Sequence, residues 1–91
     1  LSIGIYFDAD GRIPALESVR RAEQALLVED GPKPYLPMEG AANMRAAVQA
    51  LLFGAGHPAL AAGRVATLQT VGSSGGLKVG ADFLARWLPG G

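Results

Sequence analysis

The sequence predicts an α/β segment that consists mostly of helices with one core strand, and three observations support this. Residues 65–71 form a short apolar run that is typical of a strand, and a Gly/Ser turn leads from it directly into a helix. That last helix, expected over residues 74–88, has a single polar stripe, and nearly all its other positions are apolar or small. A helix of this kind is buried on several sides. Because this chain offers too few neighbours for it, we expect a partner sheet outside these 91 residues.

The first helix is expected over residues 15–27, where apolar residues recur at helical spacing. Pro14 suits its first turn, and Glu17 and Arg21 form a favourable pair four residues apart. Gly31 ends the helical pattern. The residues predicted to face inward are Ala15, Val19, Ala22 and Leu26.

The middle of the chain is expected to form a loop and then a second helix. Prolines prevent regular helix through Pro37, and Gly54 stops the helix that is predicted over residues 41–53. A short turn of helix is expected at residues 59–62. The residues of the second helix predicted to face inward are Met44, Ala47, Val48, Leu51 and Leu52.

Composition and charge exclude several classes of function. Eight Lys and Arg residues balance eight Asp and Glu residues, so no net charge attracts nucleic acid or an anionic membrane. The chain contains no cysteine and only one histidine, His57, which excludes disulfides and thiolate metal sites, and no metal site is predicted. Neither a signal peptide nor a membrane-spanning stretch is visible, so the expected compartment is the cytoplasm. The chain starts inside an apolar run and stops just after a helix, which we interpret as an excerpt of a longer protein.

The Gly/Ser turn at residues 72–76 is the strongest candidate for a binding site. Such a turn directs unpaired backbone N–H groups, two hydroxyls and the positive end of a helix dipole at one point, which suits a phosphate. The spacing fits neither a P-loop nor a dinucleotide-binding fingerprint. A tight turn with Ser73 or Ser74 as an ordinary N-cap accounts for the same residues, so both interpretations stay open at this point.

Five segments in order carry a resemblance to a known family: LSIGIYFDADGRIP, YLPMEG, ALLFGAGHPAL, RVATLQT and GSSGGLKVGADFLARWLPG. Together they resemble the N-terminal part of class I aminotransferases, the aspartate and aromatic-amino-acid aminotransferases, which are pyridoxal 5'-phosphate enzymes of fold type I. The resemblance covers essentially the whole chain, and its details are more similar to the aromatic branch. It implies that residues 1–40 belong to a substrate-lid and dimer-contact region and that residues 41–91 start the large cofactor-binding domain.

The resemblance also implies which residues bind the cofactor. Gly72, Ser73 and Ser74 match the turn that holds the cofactor phosphate, through backbone N–H groups and the hydroxyl at Ser74. Many relatives read Gly-Gly-Thr-Gly-Ala or Gly-Gly-Ser-Gly-Ala in this turn, so this chain departs from the pattern at Ser73 and Gly76. Tyr35 matches a tyrosine whose hydroxyl reaches the phosphate of the neighbouring subunit, which implies a homodimer.

On the substrate side, the resemblance implies that Ile3 and Gly4 lie over the substrate and that the backbone of Gly4 meets its carboxylate. No residue of this chain is expected to be catalytic. Lys33 is expected to be an exposed loop charge and Lys78 a solvated partner of Asp82, and the family's cofactor-bearing lysine comes later in the sequence.

The function implied is therefore that of a segment of an aminotransferase, inactive as 91 residues alone. The whole enzyme would transfer an amino group between an aromatic or dicarboxylic amino acid and a 2-oxo acid through pyridoxal phosphate. A different interpretation of the apolar helices is a free-standing, self-associating helical binding module without catalysis.

Overall fold

The computed structural model describes residues 4–90 and contains four helices within them. They are α1 (Glu17–Val28), α2 (Ala42–Phe53), α3 (Pro58–Ala61) and α4 (Gly72–Trp87). The chain divides into two units, Leu1–Lys33 and Pro34–Gly91. The first unit contains α1, and the second contains the other three helices.

Helix α1 begins later than the sequence predicts. It starts at Glu17, after an N-cap residue, Leu16, that makes no side-chain cap hydrogen bond, so Pro14 precedes the helix and does not occupy its first turn. The reason is local, because Ala15 and Leu16 have no side-chain oxygen that could cap a helix that begins earlier. The Glu17 carboxylate, by contrast, interacts favourably with the helix dipole. The predicted pair is confirmed, with 3.0 Å between Arg21 Nε and Glu17 Oε1.

Helix α2 ends where the sequence predicts, but it packs through a different face. Gly54 follows Phe53 with a φ of +88°, which confirms the predicted stop. Of the predicted inward face, Val48 is half-buried, but the rest is wrong within the described residues, because Leu51 and Leu52 are 85% and 73% exposed. Met44 and Ala47 are exposed as well, and the half-buried positions of the helix are Arg45, Val48, Gln49 and Ala50.

The packed face of α2 is explained by what it touches. Gln49 Nε2 donates to Thr67 Oγ1 at 2.9 Å and to the Val65 carbonyl at 3.3 Å, so this side of α2 holds the segment at residues 64–70. The apolar side of α2 has nothing to cover it among residues 4–90. The polar side of α2 faces residues 64–70 because the Val65 carbonyl and the Thr67 hydroxyl need hydrogen-bond partners, which Gln49 provides.

Residues 65–71, predicted as a core strand, form no strand in the structure. Half-buried Val65 and Thr67 alternate with exposed Ala66 and Leu68, which is the side-chain period of a strand. Within residues 4–90, however, no neighbouring strand is present to complete a hydrogen-bonded ladder. The core strand therefore stays a prediction.

His57 has a structural role that the sequence did not indicate. Its Nδ1 accepts a hydrogen bond from the Ala59 N–H at 3.1 Å and caps α3, whose first residue is Pro58. The ring centroid of His57 lies 5.5 Å from that of Phe53, at the end of α2. The histidine thus fixes the connection between α2 and α3, and the short helix predicted there is confirmed.

Helix α4 leaves its apolar side chains uncovered, as the pattern of its sequence leads one to expect. Leu77 is 75% exposed, and Phe83 and Trp87 are both more than half exposed. Gly40 is the one buried residue in the described part of the chain. None of the helices within residues 4–90 combines the length and the apolar character needed to cross a membrane.

The isolated 91-residue chain should be partly unfolded or should aggregate. A compact chain of this size buries only about 60% of its unfolded surface, and this one buries no apolar side chain within residues 4–90. Thermal unfolding followed by circular dichroism at several concentrations measures this. A sharp, reversible and concentration-independent transition of a monomer would contradict the prediction and favour a free-standing module.

Candidate phosphate-binding site

The Gly/Ser turn is part of the first turn of α4, which begins two residues earlier than predicted. Gly72 is the first helical residue, with a φ of +63°, and its N–H donates to the Thr70 carbonyl at 3.0 Å. The N-cap position is taken by Val71, which makes no side-chain cap hydrogen bond. Neither Ser73 nor Ser74 is therefore the N-cap, and that explanation of the two serines is wrong.

The first turn of α4 leaves several donors available. The Gly75 N–H donates to the Val71 carbonyl at 3.2 Å. The N–H groups and hydroxyls of Ser73 and Ser74 make no hydrogen bond to any residue of the described range. Both serines are exposed. Exposed donors at the positive end of a 16-residue helix are suited to an anion.

The turn is closed by Thr70, which the sequence did not single out. Thr70 Oγ1 donates to the Gly72 carbonyl at 3.0 Å, so Thr70 bonds both the N–H and the carbonyl of Gly72. A Cβ at Gly76 would lie 3.1 Å from Thr70 Oγ1, so the glycine leaves room for the hydroxyl. The available signal was a hydroxyl residue two positions before the glycine that starts the turn, a spacing at which Ser and Thr often bond the local backbone.

A second unpredicted feature is the contact between Gly40 and Gln69. It joins the segment that leads into the Gly/Ser turn to the loop that precedes α2. The Gln69 N–H donates to the Glu39 carbonyl, and Gln69 Oε1 accepts from the Ala41 N–H, both at 3.0 Å. Gly40 lies between them with a φ of +90°. A Cβ at Gly40 would overlap Gln69 Cβ and lie 2.7 Å from Gln69 Oε1, so only glycine fits.

The charged residues of α4 do not add a free positive charge to the turn. Lys78 Nζ lies 2.5 and 2.7 Å from the two carboxylate oxygens of Asp82, and both side chains are exposed, which confirms the predicted solvated pair. Anion binding at the turn would therefore depend on backbone N–H groups and hydroxyls. No cluster of three or more metal-ligating side chains occurs among residues 4–90.

The remaining predicted site residues lie apart from the turn in sequence. Tyr35 is fully exposed in the loop before Gly40, where the Gly40 N–H donates to the Pro37 carbonyl at 2.8 Å. No hydrogen bond within residues 4–90 joins Tyr35 to the Gly/Ser turn. Gly4 is exposed in the first unit with a φ of +75°, and Ile3 lies outside the described residues.

Comparison with known proteins identifies close relatives. The family model for aminotransferase class I and II matches residues 1–91. A tyrosine aminotransferase of Klebsiella pneumoniae is 56% identical over 90 residues, which cover 98% of this chain and 23% of that protein. Among solved structures, an aromatic amino acid aminotransferase from Burkholderia cenocepacia J2315 is 69% identical with a TM-score of 0.83. The match covers 99% of this chain and 23% of that protein's chain.

A second solved structure carries a ligand. The aromatic-amino-acid aminotransferase from Burkholderia pseudomallei, covalently bound to pyridoxal phosphate, is 48% identical with a TM-score of 0.78. The match covers 96% of this chain and 22% of that protein. This chain thus spans less than a quarter of the length of these relatives.

Substituting Gly40 by alanine should destabilise the protein more than substituting Gly54. Both glycines have nearly the same φ, +90° and +88°, but nothing lies within 4 Å of a Cβ at Gly54. Gly54→Ala should therefore cost only the backbone strain, about 1–3 kcal/mol, and Gly40→Ala roughly a further 1–3 kcal/mol for the overlap with Gln69. Urea denaturation of the protein with its full natural sequence measures both, and equal losses would contradict the importance of the Gly40–Gln69 contact.

Proposed function

The chain belongs to the class I and II aminotransferase family, and from this premise we propose that it is the N-terminal segment of a longer pyridoxal-phosphate-dependent aminotransferase. The enzyme would move an amino group between an aromatic or dicarboxylic amino acid and a 2-oxo acid. This chain spans only 23% of its tyrosine aminotransferase relative, so the cofactor-bearing lysine would come from the remainder. The proposal is carried by one observation: the unbonded donors of Ser73 and Ser74 stand in the turn that matches the family's phosphate site.

The donors of the turn fit the phosphate of the proposed cofactor. A phosphate offers several strong acceptor oxygens, and the first turn of α4 offers two free N–H groups and two hydroxyls with no competing carboxylate in the turn itself. When bound, pyridoxal phosphate supplies an electron sink that stabilises negative charge at the substrate carbon. The segment would contribute binding and orientation, because neither of its lysines occupies the cofactor-bearing position.

Each residue of the turn would have a separate task. Gly72 adopts the positive φ that starts the turn. Ser73 would donate only its N–H, since the family pattern that the turn resembles has glycine at this position. The Ser74 hydroxyl and N–H would both donate to phosphate oxygens. Because the turn begins a 16-residue helix, its dipole would favour the charged phosphate further.

Residues 1–40 would belong to the substrate lid and the dimer contact, and residues 41–91 would start the large cofactor-binding domain. In the lid, the backbone of Gly4, with Ile3 beside it, would lie over the substrate carboxylate. In the dimer contact, Tyr35 would extend to the phosphate in the neighbouring subunit. Its complete exposure is compatible with a hydroxyl that acts on another chain.

The alternative function is a self-associating helical module without catalysis. Uncovered apolar residues on α2 and α4 would suit such association. The same exposure also suits a segment that the rest of an aminotransferase covers, and the family match over residues 1–91 favours this second explanation.

The role of Ser74 is tested by comparing two adjacent serines in the protein with its full natural sequence. Ser74→Ala should weaken pyridoxal phosphate binding about 10- to 100-fold, since a hydrogen bond to a charged group contributes roughly 1.5–3 kcal/mol. Ser73→Gly is the control and should change affinity little. Titration of the apoenzyme with cofactor, followed by absorbance, gives both constants. If the wild-type protein binds no cofactor and transfers no amino group, the proposed function is wrong, whereas a loss at Ser73 alone would mean that the wrong serine was chosen.

The role of Tyr35 is tested with mixed dimers. Tyr35→Phe should weaken cofactor retention by about 1–3 kcal/mol, because it leaves one phosphate contact unmade. In a dimer of one Tyr35→Phe subunit and one subunit without its cofactor-bearing lysine, the working site faces an intact tyrosine. That site should retain cofactor like the wild type, and retention as weak as in the Tyr35→Phe homodimer would show that the tyrosine acts within its own subunit.

A further inference from the structure

Thr70 makes contacts that the proposed phosphate site does not yet account for. Its carbonyl accepts the Gly72 N–H and its Oγ1 donates to the Gly72 carbonyl, each at 3.0 Å. Gly72 is therefore held at both of its backbone groups by one residue two positions earlier. Gly72 has a φ of +63°, a conformation that glycine leaves and enters easily, and these bonds help α4 to hold it there.

We propose that Thr70 is a positioning residue for phosphate binding, whose hydroxyl sets the direction of the Ser73 N–H. This inference rests on the proposed function. The Gly72 carbonyl and the Ser73 N–H belong to one planar peptide, and no cis peptide occurs in the described part of the chain. Fixing the carbonyl from one side therefore fixes the N–H that points to the other side.

The surroundings of Thr70 make its hydroxyl suitable for this task. The missing Cβ at Gly76 leaves the space that Oγ1 occupies. Thr70 is exposed, and the Gly72 carbonyl is the one partner of its hydroxyl within residues 4–90. The same space accepts a methyl group, so Thr70→Val removes the hydrogen bond without forcing a clash with residue 76.

Thr67 provides a matched control in the same segment. Its Oγ1 accepts from Gln49 Nε2 at 2.9 Å, so Thr67→Val also removes one side-chain hydrogen bond. That bond joins the segment to α2 and does not touch the turn. A purely structural role for Thr70 predicts that both valine variants behave alike, whereas a positioning role predicts that they differ.

The experiment uses the apoenzyme with its full natural sequence and pyridoxal 5'-phosphate as the probe. Thr70→Val should bind the cofactor about 2- to 10-fold more weakly, the range of one ordinary hydrogen bond, and should move the ³¹P resonance of the bound phosphate. Thr70→Ser, which keeps the hydroxyl, should restore both values. Thr67→Val should lower the melting temperature and leave both values at those of the wild type.

The outcomes distinguish a failure of the inference about Thr70 from a failure of the proposed function. Wild-type affinity and an unchanged ³¹P resonance in Thr70→Val overturn the inference alone, as does an equal loss in Thr67→Val or in Thr70→Ser. A wild-type protein that binds no cofactor overturns the proposed function and the inference with it. If Thr70→Val does not fold, Thr70→Ser and Thr70→Ala replace it as a pair that differs in the hydroxyl. Equal binding by that pair then overturns the inference.

Discussion

The Gly40–Gln69 contact is the constraint on which the second unit depends. It joins the loop that carries Tyr35 to the segment that leads into α4, and it does so at the one buried residue of the described chain. This unit buries no apolar side chain within residues 4–90, so close packing at Gly40 and the hydrogen bonds of Gln69 and Gln49 hold its segments together. A side chain at position 40 would push Gln69 away and release both the loop and the segment.

Gln69 and Thr70 are adjacent in sequence and form hydrogen bonds to different parts of the second unit. Gln69 holds the loop on the N-terminal side, since it bonds the backbone on either side of Gly40, and Thr70 holds the turn on the C-terminal side, since it bonds Gly72. Because Gln69 is joined to Thr70 by one peptide bond, a shift of Gln69 would also move the residue that bonds Gly72 in the Gly/Ser turn. In the proposed enzyme, this places the loop of the cross-subunit tyrosine and the phosphate turn on a shared support.

The sequence predicted the helices well because their signals are local. Gly54 marks the end of α2, and Glu17 and Arg21 pair within α1, and both signals depend only on residues close in sequence. The start of α1 was misplaced because no capping residue marks it. The predicted inward face of α2 and the core strand depend on neighbours that residues 4–90 do not contain, and no local pattern can supply these.

The candidate phosphate site stays a prediction, and the sequence located its Gly/Ser turn better than the geometry of that turn. Glycine and serine before a helix indicate an anion site, and the resemblance to aminotransferases, now confirmed by the family match, implied which anion. The positive φ of Gly72 and the hydroxyl bond of Thr70 are choices among local conformations that composition does not distinguish. The Gly40–Gln69 contact joins residues far apart in sequence, so only the folded chain shows it.

Helix α4 has a low intrinsic helix propensity, and this would link its folding to the phosphate proposed to bind at its first turn. Its glycines after Gly72 are Gly75, Gly76 and Gly80, and a glycine in a helix interior costs about 0.8–1.0 kcal/mol relative to alanine, whereas the Lys78–Asp82 pair contributes only about 0.2–0.5 kcal/mol. A ligand that binds only the folded turn stabilises the helix by mass action, and linkage makes the effect reciprocal. In the proposed enzyme, a change that destabilises α4 would then lower the affinity at its first turn, so the glycine content of the helix would affect how fully the cofactor phosphate occupies that turn.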